Sequence, residues 1–139
     1  RHHYIVWHAE SRTVFAGDAF GLSYAGGMSY PSSSPVQFDP DAALRTVDLI
    51  EGLEPTRVAI AHYGVLLDIP ERAQQMRSLI RAFVNIALAN EQNENRESAI
   101  RDALRELHPP HPNRERYEID IEINAQGLCY WLDHREATT

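Results

Sequence analysis

The chain has 139 residues, 43% of them hydrophobic and 24% charged, which suits one modest globular domain or part of a larger one. The formal net charge is −7 and all thirteen basic residues are arginine, a balance that weighs against a general nucleic-acid binder. A lone cysteine, Cys129, excludes an internal disulfide and fits a reducing compartment. No apolar run approaches the ~18 residues of a membrane span, and no signal peptide is visible. A cytoplasmic protein without membrane contact is therefore expected. The chain opens at Arg1, without methionine, in what already reads as a strand. A fragment or processed product is expected from that.

His3 to His8 is rich in β-formers, Ala9 to Arg12 is a polar connection, and Thr13 to Gly17 is a second β-run. The pair reads as a hairpin. Both runs are mostly apolar, which predicts a sheet covered on both faces. Residues 19–38 read as a long loop rich in Gly, Ser and Pro. Its Phe20, Leu22, Tyr24, Met28, Tyr30 and Phe38 mark it as a pocket wall rather than a disordered segment.

Asp39-Pro40-Asp41 starts a helix, with Asp39 as cap, Pro40 at the first helical position and Asp41 at the positive end of the dipole. Ala43, Leu44, Val47 and Ile50 form its buried stripe, and Gly52 ends it. Val58 to His62 is the next strand, so a helix lies between β-runs and an α/β layer is predicted. Asp68 and Glu71 have capping-box spacing, and the helix they open should run to about Ala89. A third helix spans Arg96 to Leu107 and stops at His108-Pro109-Pro110-His111-Pro112. In the last segment Tyr117, Ile119, Ile121 and Ile123 alternate like a strand. Tyr117, Ile121, Ala125, Leu128 and Leu132 instead form a helical stripe, and length favours the helix. The composition shifts from α/β to all-helix near Gly64–Asp68.

Two β-runs end on residues that ligate metals, Asp18 and His62. Taken alone, each reads as an ordinary strand-end residue: Gly17-Asp18 is a common turn pair. Together they are a plausible half of a hydrolytic metal centre, where imidazole and carboxylate ligands are usual. His2 and His3 would point to opposite faces of a strand, so at most one could join such a site. His108 and His111 read as residues of a solvated loop, and Cys129 as a buried structural thiol. Tyr24, Tyr30 and Tyr63 suit either a pocket lining or packing.

Four stretches occur in order: Arg1 to Trp7, Val14 to Gly21, Pro31 to Pro40, and Ala61-His62-Tyr63-Gly64. Together they resemble the second half of a metallo-β-lactamase-fold hydrolase. The resemblance covers residues 1–66, and Asn124-Ala125-Gln126-Gly127-Leu128 resembles the closing helix of a bacterial subgroup. It implies half of an αββα sandwich over residues 1–67, followed by a helical extension over residues 68–139. Asp18 resembles the carboxylate that bridges two metals, and His62 the histidine that holds the second. His3 matches the second, structural histidine of the family's G-H-x-x-x-H element. The H-x-H-x-D-H cluster of the family is absent from this chain, so the resemblance implies a missing N-terminal half.

The implied chemistry is metal-assisted hydrolysis, with a metal-bound hydroxide attacking an ester, thioester, lactone or similar bond of a small-molecule substrate. Two divalent ions are implied, zinc first, with iron or manganese as alternatives; a homodimer is a further expectation. Two other readings stand beside the hydrolase. One is an iron redox enzyme of the same fold. The other is a non-catalytic binding or regulatory protein that keeps the fold.

Overall fold

A computed structural model describes residues 4–23, 29–36, 38–62, 64–108 and 114–135. It is a mixed α/β structure whose described elements include four helices and a small four-stranded sheet. The chain divides into two compact units, residues 1–32 with 40–81, and residues 33–39 with 82–139.

In the first unit, β1 (Val6–His8) and β2 (Thr13–Gly17) form the expected hairpin. Helix α1 (Pro40–Gly52) then returns the chain, and β5 (Arg57–Ile60) lies parallel to β2. Parallel strands require such a crossover. A short strand that the sequence reading did not anticipate, β6 (Gly64–Leu66), pairs antiparallel with β5 and gives the order β1-β2-β5-β6. The stretch read as one long loop carries its own short ladder, β3 (Leu22–Ser23) against β4 (Ser29–Tyr30).

The expectation of a sheet covered on both faces is corrected. The register aligns Trp7, Val14, Val58 and Leu66 across the four strands, and aligns Val6, Phe15, Ala59 and Val65 as the neighbouring row. Val14, Val58 and Leu66 are buried, with Trp7 packed against the same core. In the second row Val6, Phe15 and Val65 are 56%, 50% and 56% exposed. The period of two sorts these uniformly apolar runs into a packed face and an open one.

The packed face meets α1 through Val47 and Ile50, and the start of α2 (Ile69–Ala89) through Ile69, Ala73, Met76 and Ile80. These α2 residues share the sheet's core, which is why the first unit continues to Arg81 rather than stopping where the helix begins. Arg77 of α2 bonds Asp48 and Glu51 of α1, which raises its guanidinium pKa through those hydrogen bonds. Asp68 has φ of 55°, so the start of α2 lacks the extended backbone that a capping box uses; the Glu71 carboxylate accepts a bond from Gln75.

The second unit holds the rest of α2, α3 (Arg96–Leu107) and α4 (Arg114–His134), with α3 and α4 packed together. The predicted stripe Tyr117, Ile121, Ala125, Leu128 and Leu132 is buried on a helix, while Ile119 and Ile123 are exposed. Arg96–Asp133, Arg101–Glu122 and Arg105–Glu118 pair across the α3–α4 seam. His108 ends α3 with extended backbone, the conformation favoured before proline. No helix among the described residues is long and apolar enough to cross a membrane.

Candidate metal centre

Strand β2 ends on Gly17, and Asp18 opens the turn that follows. Between the pairs Phe15↔Ala59 and Gly17↔Ile60, β2 carries one residue more than β5, a bulge that re-aims the end of the strand. Gly17 has φ of 56°, a conformation glycine adopts without steric cost. The Ala61 N–H donates to the Gly17 carbonyl at 3.1 Å, which carries the parallel pairing just past β5. The turn closes with Ala19 N–H on the Ala16 carbonyl and Gly21 N–H on the Asp18 carbonyl, at 3.0 and 2.9 Å. Gly21 has φ of 81°, and a Cβ there would collide with the end of Met76 and the Tyr30 carbonyl. Glycine is thus required for the chain to fold back tightly after Asp18.

Because β2 and β5 are parallel, their carboxyl ends reach the same edge of the sheet. Ligand sites in α/β sheets gather at that edge. The His62 Nε2 stands 3.5 Å from the Asp18 Oδ1, with the His62 side chain 57% exposed and that of Asp18 26% exposed. The structure therefore brings together the two predicted site residues, 44 positions apart in sequence.

The pair fits a divalent ion in donor type and spacing. Imidazole nitrogen and carboxylate oxygen both ligate zinc at about 2.0–2.2 Å, so two tetrahedral ligand atoms stand roughly 3.3–3.5 Å apart. The set is partial: among the described residues no group of three or more His, Cys, Asp or Glu side chains is placed to hold a metal. His2, His3, Tyr24, Tyr63 and His111 lie outside the described residues.

The other candidates have structural surroundings. Tyr30 is buried. His108 is corrected from a solvated loop residue to a half-buried one: its Nδ1 bonds the Leu104 carbonyl at 2.7 Å, and its ring meets Tyr117 edge-on at 5.5 Å. Burial lowers its pKa, and the Leu104 bond only partly opposes that. Cys129 is buried as predicted, and desolvation raises its thiol pKa despite the nearby Arg96. A thiol held neutral is a poor nucleophile and metal ligand.

No protein-family model matches the chain, and no curated protein matches it.

Proposed function

We propose that this chain is the C-terminal half of a metallo-β-lactamase-fold, metal-dependent hydrolase acting on an ester, thioester, lactone or similar bond. One observation carries the reading: parallel pairing of β2 and β5 sets Asp18 and His62 3.5 Å apart at a common sheet edge. Asp18 and His62 would hold metal, with Asp18 the bridging carboxylate. Divalent ions, when bound, polarise a carbonyl oxygen and activate water at neutral pH. The chain's own part is orientation. The Gly17 bulge and the turn closed by Gly21 fix Asp18, and the Ala61–Gly17 bond fixes the backbone that presents His62.

The open row Val6, Phe15, Ala59 and Val65 supports the half-sandwich. A sheet with helices on one face and an apolar row on the other is suited to receive a second sheet, the inner layer of an αββα arrangement.

The test is Asp18→Ala in the full-length protein. Metal content by elemental analysis should fall, and hydrolysis of an acyl ester or lactone should drop by more than about a hundredfold, since even outer-shell changes reach that size. Native-like circular dichroism should persist. Unchanged metal content and turnover would overturn the reading. Turnover of phosphodiesters with none of acyl esters would overturn the substrate class.

A further inference from the structure

The sheet order β1-β2-β5-β6 leaves β6 (Gly64–Leu66) with β5 as its one neighbour in the sheet. A strand in that place presents backbone N–H and C=O groups along its outer side, and another extended backbone matches them group for group. Such edges are ordinarily blunted by lysine, proline, an inward-pointing charge or a bulge. From Gly64 to Leu67 the sequence reads Gly-Val-Leu-Leu, with neither charge nor proline. The register against β5 is regular, Val58↔Leu66, Ala59↔Val65 and Ile60↔Gly64, so no bulge turns the edge aside. Val65 is 56% exposed and Leu67 58%, at the spacing of one strand face. Among the described residues β6 is thus an open apolar edge.

A second copy of the same strand fits this edge. Antiparallel pairing about a two-fold axis through Val65 sets Val65 against its own copy, and sets Leu66 of each protomer against Gly64 of the other. On the open face the two valines then meet as a directly opposed apolar pair, the unit of sheet stabilisation. On the packed face Leu66 is 5% exposed within the core cluster. The residue set opposite it is Gly64, where a Cβ would meet nothing within 4 Å. Gly64 has φ of 110°, a conformation that keeps the position free of a side chain. A bulky residue therefore faces open space across the axis, and the strand is sterically complementary to itself.

We propose that β6 is the contact strand of a homodimer, joining two four-stranded sheets into one continuous sheet across a two-fold axis. Addition of a strand to an open edge draws its affinity from main-chain hydrogen bonds and its register from alternate side chains. Three residues pair per protomer, so the contact is small and the dimer weak and concentration-dependent. This pairing is independent of the metal chemistry proposed above and stands if that chemistry fails.

The experiment uses the full-length protein, its Val65→Glu and Val65→Lys variants and, in a Cys129→Ala background, Val65→Cys and Phe15→Cys. Sedimentation velocity over a concentration series follows the monomer–dimer equilibrium, and the wild type should dimerise reversibly. Like charges directly opposed should raise the dissociation constant by about fivefold or more in Val65→Glu and in Val65→Lys alone, and an equimolar mixture of the two should return to wild-type affinity or tighter. Under mild oxidation Val65→Cys should form a disulfide-linked dimer, because directly opposed residues lie within disulfide reach. Phe15→Cys, two strands in from the edge, should not. A wild type that stays monomeric at every concentration overturns the interface. A mixture no tighter than either charged variant alone overturns the pairing of Val65 with its copy. Cross-linking at Phe15 but not at Val65 assigns association to the open face and overturns the edge contact. Circular dichroism checks the fold of each variant, and the cysteine variants decide the question if a charged one does not fold.

Discussion

Gly127 has no side chain because the Ser33 carbonyl occupies the place where one would begin. A glycine inside a helix costs about 1 kcal/mol relative to alanine, so its presence in the middle of α4 calls for a packing reason, and this is one. Gly127→Ala should therefore lower stability, against the helix-propensity gain, by about 1–3 kcal/mol, the range for overpacking a filled site. Urea denaturation measures it, and a stabilised variant would show that the Ser33 backbone yields at no cost. Asp18 is the opposite case. Composition alone makes it an ordinary turn residue, and only the β2–β5 register gives it His62 as a neighbour. The candidate site was legible in sequence as two strand ends paired into half a metal centre; what local pattern does not encode is the parallel register and the bulge at Gly17 that set the two side chains 3.5 Å apart. The Ser33–Asn124 bonds were hidden for the same reason, spanning 91 positions.

The helices were the most legible elements. Glycine, proline and a 3.6-residue stripe are local signals, and the four helices follow them in position, although the capping box expected of Asp68 at the start of α2 is not formed. The short strands were not: β3, β4 and β6 contain two or three residues each, too few for alternation to register. The end of α3 provides a pH prediction. Burial holds the His108 pKa below its ordinary 6.5, so the folded state favours the neutral ring. Its stabilising contribution is complete above the unfolded-state pKa and is lost as pH falls from there through the folded value. Stability should decline on acidification below about pH 6.5. His108→Phe keeps a ring against Tyr117 but cannot titrate, and should flatten that decline. Chemical denaturation at a series of pH values checks this, and an equal slope in both proteins would refute it.

At the scale of the sheet unit, α1 and the start of α2 pack on the face of Val14 and Val58, while Val6, Phe15 and Val65 in the neighbouring row are exposed. The open row centred on Phe15 would cost little if a second layer covers it, and would drive association if none does. The 139-residue chain alone should therefore self-associate in a concentration-dependent way. Phe15→Glu together with Val65→Glu should reduce that association without unfolding the chain, since both side chains are half exposed or more. Sedimentation velocity over a range of concentrations measures it; a monomeric wild-type chain would contradict the expectation. The sequence reading took these apolar runs as doubly buried because composition reports how apolar a strand is and not which layer is present to receive each face.

The arginine pairs across the α3–α4 seam have a further consequence. Asp133 is held below its ordinary carboxylate range by its hydrogen bond to Arg96, while the guanidiniums of Arg96 and Arg105 are held above theirs. Every side-chain cation in the chain other than histidine is a guanidinium. Acid can dissolve the seam by neutralising its carboxylates, but mild alkali has no ammonium group to discharge. The helical unit is thus built with one-sided tolerance, sensitive to protons and nearly indifferent to their removal, and it offers no lysine amine to acylating reagents or to enzymes that tag lysines.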